Sequence, residues 1–109
     1  MSYFKDAQSR SPMQLVSGAR TRTFWGEQML LSIVEIDANS EVPRHTHTHE
    51  QAGMVIEGEV EMGIDDKVRN LGPGEMYIVP GNVEHYVRCS ASAAKVLDVF
   101  SPVREEFKY

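Results

Sequence analysis

Apolar and polar residues alternate along much of the chain after residue 28. Val60, Met62 and Ile64 alternate with glutamate and glycine, so a β-strand at this place has one dry face and one wet face. Turn signals separate such segments about every eight residues. They include residues 65–66 (Asp-Asp), 72–74 (Gly-Pro-Gly) and 80–82 (Pro-Gly-Asn). The pattern predicts many short strands, of which residues 29–36 and 95–100 are the first and the last.

The fold class follows from this spacing, because no segment after Met29 has a sustained helical period. Many short strands with Gly/Pro turns are typical of a β-sandwich or a small barrel, so we predict an all-β fold. Glu57 and Gly58 lie between two strand candidates and predict a two-residue hairpin. Residues 1–27 lack a clear period, and we predict a loosely held arm there that is able to add an edge strand. Residues 28–109 then form the barrel and a short C-terminal tail.

Length and charge limit the classes of function. The 109 residues are enough for one domain. The net charge of −5 and the absence of a Lys/Arg run argue against a nucleic-acid surface. Cys89 is the one cysteine, so no internal disulfide is expected. The first fifteen residues contain no apolar signal core, and no 18-residue apolar run occurs. We therefore expect a cytoplasmic protein without membrane partners.

All four histidines fall in two short segments. His45, His47 and His49 alternate with threonine, and His85 follows the turn at residues 80–82. Residues two apart in a strand share a face, so His45 and His47 place two imidazoles side by side, and Gln51 has the same parity. Imidazole is a common ligand of divalent transition metals. The spacing predicts a metal site closed by a ligand from a remote strand; the alternative is a polar surface loop with chance histidines.

These residues resemble the two motifs of the cupin family. The first motif is His-x-His, three or four residues, Glu or Gln, six residues, Gly, and the second is Gly, five residues, Pro-x-Gly-x-x-His, three residues, Asn. The matching positions are His45, His47, Gln51, Gly58, Gly74, Pro80 and His85. Asn82 replaces the usual Gly and Cys89 the usual Asn. Asn tolerates a positive φ, so we expect the turn to survive.

The resemblance implies an antiparallel jelly-roll barrel that holds one divalent metal ion. The implied ligands are His45, His47, Gln51 and His85. Three imidazoles and an amide leave the charge of a dication in place, which favours Lewis-acid chemistry. Fe, Mn, Ni, Co, Zn and Cu all accept imidazole, so the metal stays open. His49 is the alternative to Gln51 by parity, whereas the family pattern favours Gln51.

The tail carries a second resemblance, to small cupins that act in pectin and alginate breakdown. Their closing segment reads Leu-x-Asp-x-Phe-x-Pro-x-Arg-Glu-Asp-Phe, and here Glu106 replaces the second Asp. The resemblance implies linearisation of unsaturated uronates, with Asp98 as acid/base, Arg104 as a clamp on the sugar carboxylate and Phe100 as a pocket wall. In the alternative, Asp98 pairs with an arginine, Phe100 is core and Arg104 is solvated. The matching positions are Leu97, Asp98, Phe100, Pro102, Arg104, Glu105 and Phe107.

Three functions therefore compete: a metal-dependent sugar-acid lyase or isomerase, a non-haem metal dioxygenase and a non-catalytic metabolite-binding protein. The expected partner in the first case is a small anionic sugar acid. Apolar strand faces such as residues 29–36 exceed what one small barrel hides. We therefore expect a homodimer, and an exchange of N-terminal strands is one way to form it. We expect Cys89 to fill the barrel as a small apolar group.

Overall fold

The computed structural model describes residues 2–109, which form ten strands. The helical segments among them are two three-residue 3₁₀ turns, Ala7–Ser9 and Glu105–Phe107. None of the described helices is long and apolar enough to cross a membrane. The strands are β1 (Met13–Val16), β2 (Ala19–Trp25), β3 (Leu30–Ile36), β4 (Glu41–His45), β5 (Glu50–Glu57), β6 (Val60–Ile64), β7 (Lys67–Leu71), β8 (Met76–Val79), β9 (His85–Arg88) and β10 (Ala94–Ser101).

The strands form two antiparallel sheets that make up a jelly roll, as predicted. One sheet has the order β1-β2-β3-β10-β5-β8 and the other β4-β9-β6-β7. The expected closed barrel needs a correction, because no ladder of hydrogen bonds joins the two sheets among residues 2–109. Edges therefore remain at β1, β8, β4 and β7. Pro43 in β4 and the charged Lys67 and Arg69 in β7 make two of these edges poor templates for further pairing.

The core lies between the sheets and takes every second residue of the strands. The burial of β10 alternates strictly, with Val96 and Phe100 buried and Leu97 and Val99 half-buried on the other face. Apolar burial of this kind is the main favourable term in folding. Cys89 is buried in the same core, as expected for a small apolar filler.

The predicted hairpin at Glu57 and Gly58 is wrong, although a turn does lie there. β5 pairs with β10 and β8, whereas β6 pairs with β7 and β9, so the chain crosses from one sheet to the other at this turn. Gly58 has φ +78°, and a Cβ at that position would lie 2.4 Å from the Ala93 carbonyl oxygen. Both the left-handed backbone and the close approach require glycine.

The N-terminal segment carries two paired strands, β1 and β2, of which β1 is the sheet edge. The residues of β2 that face the core are small or polar, so the sequence does not show the apolar alternation that is typical of a strand. The hydroxyls of Thr21 and Ser32 hydrogen-bond at 2.5 Å in the buried layer. The Thr23 hydroxyl donates to the carbonyl oxygen of Phe107 at 2.5 Å, which ties the tail to the sheet. Residues 13–25 of the segment expected as a loosely held arm therefore belong to the six-stranded sheet, and β1 is an edge strand of the kind that the prediction allowed.

The outer side of the six-stranded sheet is apolar over two adjacent rows of facing side chains, which we call the outer apolar face. Met76 and Ile78 on the edge strand β8 are 71% and 65% exposed. Only Arg22 in these rows is charged, and it pairs with Glu35 at 2.7 Å. The two rows are Ile78, Ala52, Val99, Leu31 and Phe24, and Met76, Met54, Leu97, Ile33 and Arg22.

Leu30→Ala should lower the free energy of unfolding by about 2–5 kcal/mol, because Leu30 is fully buried against Phe100 and Val103 and truncation leaves a cavity. Val68→Ala is the control, since Val68 is 55% exposed on β7 and lies outside the outer apolar face. It should cost less than about 1 kcal/mol. Urea unfolding measures both values, and equal losses would contradict the burial of Leu30 in the core.

Candidate metal and substrate site

Three histidines from separate parts of the sequence meet between the sheets. His45 ends β4 and faces His85, the first residue of β9, across the antiparallel ladder. His47 follows in the loop after β4. The ligand atoms of the three rings all lie within 4.8 Å of one another, and the His45 and His85 ring centres are 4.2 Å apart. These three side chains are therefore positioned to hold one metal ion.

Backbone carbonyls fix the orientation of all three rings. Nδ1 of His45 donates to the Pro43 carbonyl at 2.7 Å, and Nδ1 of His85 donates to the Val83 carbonyl at 2.9 Å. Nδ1 of His47 donates to the carbonyl of His49 at 3.0 Å. A carbonyl oxygen only accepts, so Nδ1 must carry the proton in each ring. The neutral rings then present the lone pair of Nε2, which is the arrangement of a metal-binding histidine.

Burial keeps two of the rings neutral. It lowers the pKa of His85 to about 4, and it lowers the pKa of His47 with help from the nearby Arg104 charge. The Nε2 atom of His85 is buried without a hydrogen-bond partner anywhere in the described chain. An unpartnered lone pair in a buried place is costly, and a cation is the partner that fits it.

Gln51 lies beside the three rings, and its amide orientation also suits a cation. Its Oε1 is 3.1 Å from Nε2 of His47. The Nδ1 proton of His47 is held by the His49 carbonyl, so Nε2 of His47 carries a lone pair. Two acceptor atoms, Oε1 of Gln51 and this Nε2, therefore face each other. A metal ion ligated by both atoms resolves this repulsion.

His49 lies outside the cluster of three rings. Its ring centre is 5.8 Å from that of His47, and its Nδ1 is buried without a partner among residues 2–109. Its backbone carbonyl, rather than its ring, serves the cluster by orienting His47. The geometry therefore favours Gln51 over His49 as the fourth ligand.

Asp98 is the one buried carboxylate near the rings in the part of the chain that the structure describes. It is 7% exposed and accepts a hydrogen bond of 2.6 Å from the hydroxyl of Tyr77. Burial raises the pKa of Asp98 to about 6, while Tyr77, Gln51 and Arg104 act against this rise. A pKa near neutrality suits a group that takes and returns protons. Its partner is thus a tyrosine, not an arginine of a neighbouring strand.

Arg104 and Phe100 border the same space from the C-terminal side. The guanidinium of Arg104 lies 4.0 Å from the ring centre of Phe107 and 4.9 Å from that of Phe100. Its side chain is only 13% exposed and lies 3.5 Å from Glu106, while its Nε has no partner within residues 2–109. Phe100 is 3% exposed and packs edge-on against His47 at 5.6 Å. Arg104 is therefore a held, partly unpaired cation and not a solvated tail residue.

A cavity of about 280 Å³ joins these groups. Its size is at the small end of the range for ligand pockets, roughly 300–1,000 Å³, and suits a monosaccharide more than a larger ligand. Most of its remaining wall is apolar. The polar residues that line it include His45, His85, Gln51, Tyr77, Asp98 and Arg104.

Sequence reasoning missed Tyr77 and Gly53, which both lie next to Asp98. Tyr77 alternates with the exposed Met76 and Ile78, so its strand parity points it inward. A tyrosine buried in a core needs a partner for its hydroxyl, and this is the signal that was available.

Comparison with known proteins agrees with this geometry. The sequence pattern of the family described as Cupin domain matches residues 32–100. The pectin degradation protein KdgF of Dickeya dadantii (strain 3937) is 27% identical over 84 residues, which is 76% of each chain.

Two solved structures superpose over almost the whole chain. One is an RmlC-like cupin from Shewanella frigidimarina NCIMB 400, with a TM-score of 0.92 and 25% identity over 99% of this chain and 97% of that one. The other is KdgF from Halomonas sp., with a TM-score of 0.91 and 22% identity over 99% of this chain and 100% of that one.

His85→Ala should abolish stoichiometric metal binding, because the central, most buried imidazole nitrogen is lost. The fold should persist, since the change lies at the start of a strand and removes a group whose Nε2 makes no hydrogen bond within the described residues. His49→Ala is the control and should keep the metal. Elemental analysis and circular dichroism measure these outcomes. Full metal retention in His85→Ala would refute the ligand set.

Proposed function

The chain belongs to the cupin domain family, and on this premise we propose that it is a metal-dependent enzyme that opens unsaturated uronates to linear keto acids. The observation that carries the proposal is the shared cavity, which is lined by the Asp98 carboxylate, the Arg104 guanidinium and two of the three clustered imidazoles, those of His45 and His85. Similarity to the pectin degradation protein KdgF of Dickeya dadantii supports the choice of substrate class.

Each residue of the site serves a different part of the substrate. Arg104 offers a planar fork that matches the sugar carboxylate, and its exposed partner Glu106 is a weak competitor at 3.5 Å. Phe100 forms an apolar wall for the ring. His45, His47, Gln51 and His85 would hold the metal, which when bound supplies Lewis-acid stabilisation of negative charge on substrate oxygen. Holding the sugar in one orientation against Asp98 lowers the entropic part of the barrier.

Asp98 is the group that moves the proton. The anomeric hydroxyl loses its proton to the carboxylate, and the bond from the anomeric carbon to the ring oxygen breaks as the aldehyde forms. The ring oxygen leaves as an enolate, which takes the proton back from Asp98 on its neighbouring carbon and becomes a ketone. The reaction is an isomerisation, so atoms and electrons balance without an oxidant. A pKa of about 6 lets Asp98 accept and return the proton near neutral pH.

We also propose that two copies of the chain form a homodimer through the outer apolar face. Nine of its ten residues are apolar, and Met76, Ile78 and Leu31 are exposed to solvent in the single chain. Apolar patches of this kind usually mark interaction sites. The expected cytoplasmic location and the expected lack of nucleic-acid and membrane partners stay predictions.

The metal-loaded protein should remove the ultraviolet absorbance of 4,5-unsaturated galacturonate without oxygen uptake. Asp98→Asn should retain stoichiometric metal and lose turnover by at least about 100-fold, because the amide cannot accept the proton. An ultraviolet assay beside an oxygen electrode measures both. Oxygen uptake would favour the dioxygenase, and no turnover of any unsaturated uronate would leave a binding protein or another substrate. Near-normal turnover in Asp98→Asn would make Asp98 structural.

Light scattering should give twice the chain mass of 12.3 kDa. Ile78→Glu should shift the protein to the monomer, because it places a charge among the exposed apolar side chains of the proposed interface. Val68→Glu is the control, since Val68 is 55% exposed but lies on β7 in the other sheet. A dimer that survives Ile78→Glu and dissociates on Val68→Glu would show that the interface lies elsewhere.

A further inference from the structure

Tyr77 lies two strands away from Asp98 in the six-stranded sheet. It belongs to β8, the edge strand that pairs with β5, and it is 7% exposed. Its hydroxyl donates to Oδ1 of Asp98 at 2.6 Å, across the intervening strand. A bond of this length between a phenol and a carboxylate is in the range of strong, charge-assisted hydrogen bonds.

Gly53 makes this contact possible. In the register of the sheet it faces Tyr77 on one side and Asp98 on the other. A Cβ at Gly53 would lie 2.3 Å from Cζ of Tyr77, 2.4 Å from its hydroxyl oxygen and 2.5 Å from Oδ1 of Asp98. No side chain fits there, so the two groups meet over the bare backbone. The glycine is needed for space and not for an unusual φ.

We propose that Tyr77 is a positioning residue for the reaction, whose hydroxyl holds the carboxylate of Asp98 in the orientation that serves the substrate. The proposal rests on the role assigned to Asp98 under the proposed function. Oδ1 is occupied by the phenol, so the carboxylate cannot rotate freely, and its second oxygen stays available. Gly53 is needed for the same contact, because any larger residue would separate Tyr77 from Asp98.

The direction of this hydrogen bond is fixed. Burial and the neighbouring carboxylate raise the pKa of Tyr77 far above its ordinary value, so the phenol stays protonated and only donates to Asp98. The tyrosine ring also packs in the core cluster that contains Val79. A phenylalanine fills the same space without the hydroxyl, and this separates positioning from packing.

The test is Tyr77→Phe in the metal-loaded protein, assayed on 4,5-unsaturated galacturonate. We expect kcat to fall roughly 10- to 100-fold, the range for loss of one hydrogen bond to a charged group, with KM and metal content within about threefold of the parent. Tyr109→Phe is a matched control, because the Tyr109 hydroxyl also donates a hydrogen bond of 2.6 Å, to the Ser11 carbonyl, and Tyr109 is not among the residues that line the cavity. It should leave kcat unchanged.

An unchanged kcat in Tyr77→Phe would overturn the proposal, and so would equal losses in both variants. Gly53→Ala is the second variant, because it separates the pair while keeping both side chains. It should also lower kcat with KM maintained, and a parental kcat in Gly53→Ala counts against the proposal.

Crystal structures of the parent and Tyr77→Phe keep the two proposals distinct. If the parent protein turns over no unsaturated uronate, the proposed function fails while the positioning role is still judged. A displaced Asp98 side chain in Tyr77→Phe supports that role, and an unmoved side chain overturns it.

Discussion

The structure depends on three imidazoles that are forced to present the same nitrogen to one buried point. Each Nδ1 proton is committed to a backbone carbonyl, so each Nε2 lone pair faces the space between the sheets. Lone pairs brought this close repel one another, and the buried Nε2 of His85 makes no compensating hydrogen bond within the described residues. The four-stranded sheet and the loop after β4 must therefore hold the rings in place, and a cation would relieve this repulsion. Stability of the fold and affinity for the metal are coupled at this point.

The register of the strands determines which side chains face the site. His45 and His85 face each other across β4 and β9, while Gln51 faces Phe100 across β5 and β10 in the opposite sheet. A slip of one residue in either pair would turn the side chains to solvent, and the alternating apolar residues of the core resist that slip. The alternation of inward and outward residues that forms the core thus also directs the histidines and Gln51 toward the site. Burial lowers the pKa of His47 and His85 and raises that of Asp98, and the positive charge of Arg104 acts to lower all three pKa values.

The sequence was sufficient for the all-β fold and for the convergence of His45, His47 and His85, because strand parity and motif spacing are local properties. It was not sufficient for features that depend on which strands become neighbours. Glu57 and Gly58 looked like a hairpin, yet β5 and β6 separate into different sheets, and no local pattern distinguishes a hairpin turn from a crossover between layers.

The strands β1 and β2 were not recognised from the sequence, because the polar residues Thr21 and Thr23 face inward where the strand pattern expects apolar residues. Their hydroxyls are satisfied by Ser32 and by the tail, which are distant in sequence. Tyr77 was missed for the same reason, since its partner lies two strands away.

Gln51 lies between the two ends of the candidate site. Its Oε1 faces Nε2 of His47, whose own proton is held by the His49 carbonyl, so two acceptor atoms meet beside the other two imidazoles. At the other end Tyr77 donates to Asp98, and a carboxylate cannot donate in return. Gln51 and Asp98 line one cavity together with His45 and His85. The unsatisfied lone pairs are therefore concentrated where a metal ion would fit, next to the carboxylate to which proton transfer is assigned.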